Sequence, residues 1–235
     1  MTRICTICAR GGSKGVKNKN VRQIAGLPLI AHTLLQAKES KLFDMIIISS
    51  DSEEILEVAS KFGANILVHR PPELATDFIS KLPAIRHAVV EAEKINGKQF
   101  DVIVDMDVTS PLRIIDDIKG AVNLMESRNV SNVITGAPAR RSPYFNLVEQ
   151  QDNGVIGLSK PPASPLFRRQ DSPKCYDMNA SIYVWKRNAL FENPTVFNSD
   201  TMLFEMPEER STDIDNEFDF EIVEILMNKR IQNKK

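Results

Sequence analysis

The sequence predicts an α/β fold, a mostly parallel sheet with helices on both faces. Three observations carry that prediction. Apolar, β-rich runs recur between helical patterns, the runs give way to polar loops of the kind found at the carboxyl edge of a parallel sheet, and 235 residues suffice for one substantial α/β domain with a sizeable insertion.

Each element follows in chain order. The first strand is expected over Arg3–Cys8, and a loop rich in glycine and lysine succeeds it. Gly26-Leu27-Pro28-Leu29-Ile30 then opens a helix with Pro28 near its first turn and Leu27, Ile30, Ala31, Leu34 and Leu35 on its apolar face. A second strand over residues 45–49 ends in Ser50-Asp51-Ser52, where Ser52 can cap a helix carrying Ile55, Leu56 and Val58 that stops near Gly63. A short strand is expected over 64–68, and a helix over 80–95 with Leu82, Ile85, Val89 and Ala92 inward. Pro83 fits that helix only within its first turn. Residues 100–104 read as a buried central strand that gives way to Asp105-Met106-Asp107. Ligands of open α/β sheets sit beyond the carboxyl ends of the strands. The glycine-lysine loop, the Ser49–Asp51 turn and Asp105–Arg113 should therefore converge on one cleft.

From 138 to 177 the pattern changes, with Pro143, Pro161, Pro162, Pro165 and Pro173 breaking it into short runs. Tyr144, Phe145, Leu147, Val148, Val155, Ile156, Leu158 and Phe167 make this stretch too apolar for a solvated linker. It reads as an ordered insertion into a single domain spanning 1–235, one that covers the cleft or forms a dimer. The chain returns to the core through residues 181–185 and closes with an amphipathic helix over 217–229.

Opposite charges nearly balance at a net charge of -1, and no basic tail offers a surface for nucleic acid. The longest apolar runs are far too short to cross a bilayer, and the N-terminus lacks the apolar core of a signal peptide. A cytoplasmic protein with no membrane partner is expected. The three cysteines are too few for a disulfide framework, Cys5 and Cys8 fall within the first strand, and no second pair completes a zinc tetrad.

The loop at residues 8–20 concentrates the chemistry. Glycine lets backbone N–H groups approach an anion, Lys14, Lys17 and Lys19 add point charges, and Arg10 adds a planar fork of donors, a combination suited to a polyphosphate. It is neither a Walker A sequence nor a G-x-G-x-x-G dinucleotide loop, and a merely solvated basic turn is the plain alternative. Downstream, Asp213 and Asp215 stand at i and i+2, on one face if the segment is extended, and paired oxygen ligands of that kind suit Mg²⁺.

Ala9-Arg10-Gly11-Gly12-Ser13-Lys14-Gly15, closed by Lys19-Asn20, resembles the nucleotide-binding signature of the acylneuraminate cytidylyltransferases. The similarity continues through Ile48–Ser52, Arg70-Pro71 with Glu73-Leu74-Ala75 and Asp77, Thr109–Arg113, Arg168-Arg169-Gln170, Asn179–Tyr183 and Asp213-Ile214-Asp215. It covers the chain from residue 4 to about residue 225. The resemblance implies a Rossmann-like nucleotidyltransferase that joins CTP to a nine-carbon 2-keto sugar acid, with Mg²⁺ or Mn²⁺ as cofactor and a homodimer built through the insertion.

It also implies roles. Ala9, Arg10, Gly11, Ser13, Lys14, Lys19, Asn20, Arg70 and Ser80 would contact the nucleotide, with Lys81 near the cytidine in a looser local match. Asp213 and Asp215 would hold the metal, and Arg10 and Lys19 would join them in catalysis. Asp107, Thr109, Ser110, Arg168, Arg169 and Asn179 would face the sugar acid. Two departures stand out. Ala180 replaces the usual glycine of the Asn-Gly-Ala-Ile-Tyr block, and Asp107-Val108 stands where sialic acid enzymes carry Gln-Pro. A carboxylate cannot donate as an amide does, so the acceptor shifts toward a legionaminate or pseudaminate type, and the stretch from Asp105 to Arg113 looks most like the legionaminate branch. N-acetylneuraminate and the eight-carbon acid Kdo remain alternatives, as does a non-catalytic nucleotide sensor. For the general base, a metal-bound carboxylate, Asp107 and activation of the hydroxyl by the metal are all compatible with the sequence.

Overall fold

The computed structural model describes residues 1–76 and 78–233, so Asp77 of the resemblance lies outside the described residues. The chain runs β1 (Arg3–Cys8), β2 (Gln23–Ile24), β3 (Leu27–Pro28), α1 (Leu29–Ser40), β4 (Met45–Ser50), α2 (Glu53–Lys61), β5 (Ile66–His69), α3 (Lys81–Asn96) and β6 (Val102–Met106). It continues through α4 (Ile115–Arg128), β7 (Asn132–Pro138), β8 (Val148–Gln150), β9 (Ile156–Leu158), β10 (Tyr176–Lys186), α5 (Arg187–Glu192), β11 (Met202–Glu205) and α6 (Glu217–Gln232).

The main sheet has the order β11-β7-β10-β6-β1-β4-β5. Every pair in it is parallel except those made by β10, which runs antiparallel between β6 and β7. This is the mostly parallel α/β sheet that the sequence predicts. β1 is buried on both faces because successive side chains point to opposite sides. Cys5 and Ile7 pack into the layer made by α1, α2, α4 and α6. Ile4 and Cys8 pack into the layer of α3 and α5, with Ile85, Val89 and Leu190. Each fully buried leucine or isoleucine in these layers contributes about 1.5–3 kcal/mol relative to exposure.

Several expected boundaries move. Leu27 and Pro28 belong to a short hairpin strand rather than to the first helix, and Leu35 on that helix is partly exposed. The strand expected over 64–68 forms at Ile66–His69, and the central strand at Val102–Met106, one turn of pattern later than the apolar run suggests. No element is expected from the sequence between Arg113 and Pro138, yet α4 and β7 occupy that span, and β11 adds an edge strand beside β7. Gly120 explains part of the difficulty: it interrupts the helical pattern of α4, but a Cβ there would meet the Phe204 ring at 2.4 Å. Residues 138–177 contain the β8–β9 hairpin, and the return strand is longer than 181–185 because β10 begins at Tyr176. Among the described residues no helix is long and apolar enough to cross a membrane.

Candidate active site

Beyond the carboxyl ends of β1 and β6 lies a cavity of about 400 Å³. Arg10, Ser13, Lys14, Lys19 and Arg70 bring cations and a hydroxyl to it, Ser80, Lys81, Asp107 and Thr109 line it further, and Asp215 faces the same space. The convergence has a local cause. β1 and β6 are adjacent and in parallel register, with Thr6 opposite Asp105, so the loops that follow them leave the sheet side by side.

The basic loop is braced before any ligand arrives. Gly12 takes φ +61°, a left-handed conformation that glycine adopts without steric cost. Asn20 donates from its amide to the Arg10 carbonyl at 2.8 Å, pinning the start of the loop to its end. Ala9 stays at the cavity wall, its N–H donating to the Ser49 carbonyl. Gly11 behaves differently: its N–H donates to the Asp51 carboxylate at 2.9 Å, and it lines a smaller hollow behind the loop with Ser52 and Ile55. Arg70 is buried and donates to the Ser49 carbonyl at 2.8 Å while keeping a place at the cavity wall. Ser80 begins α3 without spending its hydroxyl on a helix cap.

The acidic segment is docked directly onto this loop. The Lys19 ammonium donates to the Ile214 carbonyl, and the Ile214 N–H donates to the Thr109 carbonyl at 2.9 Å. Gly15 makes the closest approach: a Cβ built there would stand 1.8 Å from the Asp215 carbonyl oxygen, so only glycine fits. Asp219 caps α6, accepting from the N–H groups of Asp215 and Asn216, and thereby fixes the other end of the segment. Burial, with Asp215's charge second, pushes the Asp213 carboxyl up to about 6. Asp215 lines the cavity with the cations and Asp213 does not, yet two carboxylates that repel each other in this way make a donor set that fits a hard divalent cation such as Mg²⁺. Among the described residues, no cluster of three or more His, Cys, Asp or Glu side chains forms a ready-made metal cage.

Asp107 is held by several partners. Its Oδ2 accepts from Lys81 Nζ at 2.7 Å, and its Oδ1 accepts from the Thr109 N–H at 3.2 Å and the Thr109 hydroxyl at 3.1 Å. Burial opposes its charge, but Lys81, the Thr109 N–H and Arg113 together outweigh burial, and the carboxyl is held below its ordinary range. The same Lys81 ammonium lies 2.6 Å from Asp105 Oδ2, on a strand residue with no solvent exposure. Burial likewise works against the Lys81 charge, and the two carboxylates overcome it, so its pKa is raised.

The residues expected to face the sugar acid divide into three groups. Asp107 and Thr109 line the cavity. Ser110 and Asn179 are buried beneath it, the Ser110 hydroxyl donating to the Asn179 carbonyl at 3.0 Å and Asn179 Oδ1 accepting from Thr135. Arg113, also buried, donates to the Ser181 carbonyl and hydroxyl, Thr33 and the Asp107 carbonyl, and burial lowers its pKa to about 10. These three residues brace the wall. Arg168 and Arg169 stand apart: Arg168 is exposed and paired with Asp171 at 2.9 Å, while Arg169 donates to the Ala139 carbonyl and lines a second cavity of about 540 Å³ with Arg141 and Tyr176. Ala180 takes φ +49° in the bulge of β10, which accounts physically for a glycine at that position in the resembling block.

Sequence reasoning missed Asp105 and the contact at Gly15. For Asp105 a signal existed, because Asp105 and Asp107 stand at i and i+2 as the chain leaves β6 extended, and two carboxylates on one side require a cation. The Gly15 contact joins positions two hundred residues apart, and nothing local announces it.

With this geometry in hand, comparison with known proteins is specific. The family model described as Cytidylyltransferase matches residues 4–229. The chain is 50% identical over 224 residues to the CMP-N,N'-diacetyllegionaminic acid synthase of Campylobacter jejuni subsp. jejuni serotype O:2, covering 95% of this chain and 94% of that one. It is 48% identical over 227 residues to the post-translational flagellin modification protein B of Campylobacter coli, covering 97% and 95%. Among solved structures, CMP:2-keto-3-deoxy-manno-octonic acid synthetase complexed with CTP superposes with a TM-score of 0.71 at 16% identity, covering 98% of this chain and 100% of that one, a likeness of fold.

Proposed function

The chain belongs to the cytidylyltransferase family, and from that premise we propose that it joins CTP to a nine-carbon 2-keto sugar acid of the N,N'-diacetyllegionaminate type, releasing pyrophosphate. One observation carries this reading. Arg10, Lys14, Lys19 and Arg70 gather opposite Asp215 in a single cavity at the carboxyl edge, in a chain half identical to a CMP-diacetyllegionaminate synthase.

The acceptor's C2 hydroxyl attacks the α-phosphorus of CTP. The C2–O–P bond forms, the bond from the α-phosphorus to its bridging oxygen breaks, the hydroxyl proton passes to solvent water, and pyrophosphate carries away the negative charge. Ser13, Lys14 and Arg10 hold the phosphates in line, and Lys19 sits where that charge develops while anchoring the acidic segment. Asp213 and Asp215 would hold Mg²⁺, or Mn²⁺, which would supply charge shielding for the triphosphate and ionisation of the acceptor hydroxyl. Asp107 serves as a hydrogen-bond acceptor rather than as the base, since Lys81 keeps its carboxyl below the ordinary range and Thr109 fills its Oδ1.

A homodimer completes the reading. The exposed apolar side chains Val148, Val155, Ile156 and Phe167 of the insertion pack against a second copy, and Arg168 or Arg169 reaches the sugar acid of that copy. A cytoplasmic location belongs to the same proposal. The test is pyrophosphate release with CTP and a panel of N,N'-diacetyllegionaminate, pseudaminate, N-acetylneuraminate and Kdo. Preference for the first supports the assignment, preference for another moves the acceptor while keeping the reaction, and no release with any of them leaves a nucleotide-binding protein.

A further inference from the structure

Asp105, Lys81 and Asp107 form a carboxylate–ammonium–carboxylate bridge across the wall of the cavity. β6 carries Asp105 on the face against α3, Asp107 follows just past the end of the strand, and α3 delivers the lysine from the layer packed on that face. Asp105 has no solvent exposure. Its Oδ1 accepts from the Thr6 hydroxyl at 2.7 Å, but its Oδ2 has no hydrogen bond of good geometry among the described residues, and the Lys81 ammonium 2.6 Å away is its compensation. A buried carboxylate without a cation is strongly destabilising, so Asp105 fixes where Lys81 must stand. Lys81 in turn fixes Asp107 Oδ2, while Thr109 fixes Asp107 Oδ1. A carboxylate oxygen accepts about two hydrogen bonds. Oδ1 is filled, and Oδ2 keeps one acceptor position for an N–H or O–H group in the cavity.

We propose that Lys81 is a positioning residue for acceptor choice, acting through Asp107 by holding that carboxylate charged and oriented so that the wall offers the sugar acid one fixed acceptor. The buried Asp105 is the anchor of the device, and the substrate feature it selects is a hydrogen-bond donor, an amide N–H or a hydroxyl. The inference rests on the reading of Asp107 as a sugar contact, and the experiment separates the two.

The experiment is a double-mutant cycle on the full-length protein, with Lys81→Met, Asp107→Asn and the double variant assayed for pyrophosphate release against CTP and N,N'-diacetyllegionaminate. Lys81→Met should raise the acceptor KM at least about tenfold, the scale of one polar specificity contact, with the CTP KM little changed. Asp107→Asn should do the same. In the Asp107→Asn background, Lys81→Met should add nothing further to the acceptor KM, because its effect passes through the missing carboxylate. Additive effects would overturn the proposal and make Lys81 a substrate contact in its own right, and an unchanged acceptor KM in Lys81→Met would overturn it as well. If Asp107→Asn shifted only the CTP KM, the sugar-side reading of Asp107 would fall and the acceptor role of Lys81 with it, whereas additive effects on the acceptor KM would sink the role of Lys81 alone. Should Lys81→Met fail to fold with Asp105 uncompensated, Lys81→Arg keeps the charge and moves the donor, and the same non-additive rise is expected of it.

Discussion

The loop at residues 9–20 and the insertion at residues 138–177 are both rich in cations, yet the structure uses them in opposite ways. The loop is closed on itself by Asn20, fixed to the acidic segment through Lys19 and Gly15, and turned toward one cavity. The insertion spends Arg168 on Asp171 and Arg169 on the Ala139 carbonyl, lines a separate cavity, and leaves Val148, Val155, Ile156 and Phe167 exposed. The difference teaches that cations held by loops converging at one sheet edge share a single cavity, whereas those paired within the insertion are kept away from it.

The largest expected effect lies on the braced side. Asp215→Asn removes one charge with little change in volume, and turnover should fall by about a hundredfold or more with the thermal midpoint nearly unchanged, as read by pyrophosphate release and a melting curve. Gly15→Ala comes next. Its methyl group must displace the Asp215 carbonyl, and a shift on the order of 1 Å should lower kcat roughly tenfold to a hundredfold while CTP still binds without metal. Unchanged kcat in Gly15→Ala would break the claim that bracing matters.

The pH dependence should sharpen the same side. With Asp213 raised to about 6, its carboxyl holds a proton below that pH, and a divalent metal has to displace it. Metal affinity should therefore weaken as pH falls below about 6 and level off above it, and isothermal titration with Mg²⁺ across that range checks this. In the metal-free protein the sign is reversed. The raised pKa favours the folded state at low pH, and that contribution is lost as pH rises through about 6.

The insertion offers a contrasting test. Val148→Asp combined with Ile156→Asp should leave the braced cavity able to bind CTP while converting a dimer to a monomer by light scattering and lowering activity through loss of the partner's arginines. Full activity in a monomer would erase the comparison. The smallest effect belongs to Ala180→Gly, which relieves a left-handed alanine. It should stabilise the fold by about 1 kcal/mol, a rise in thermal midpoint of roughly 2–4 °C.

The sequence made the frame of the sheet readable because β1, β4 and β6 are buried runs bounded by polar turns, and periodicity is a local property. It made the basic loop and the Asp213–Asp215 pair readable because each is a short motif. What it hid is long-range. Gly120 looks like a helix interruption until Phe204 is placed beside it. Ser110 and Asn179 look like ligand contacts by motif, but they are turned inward because the antiparallel β10 sets its bulge against β7 at that level. Lys81 stands out in the sequence only as a loose match near the cytidine, and its pairing with Asp105 and Asp107 appears once β6 and α3 are packed together.

The antiparallel course of β10 has one more consequence. Because Tyr176 lies directly opposite Pro138 in the register, the stretch over residues 139–175 leaves and re-enters the sheet at a single point. Topologically it is an enlarged hairpin connection. The entropy of closing such a loop grows only with the logarithm of its length, so it can be lengthened, shortened or exchanged between relatives with little penalty to the sheet beneath. The same sheet and cavity can thus carry interchangeable insertions, with both cut points at the Pro138–Tyr176 junction.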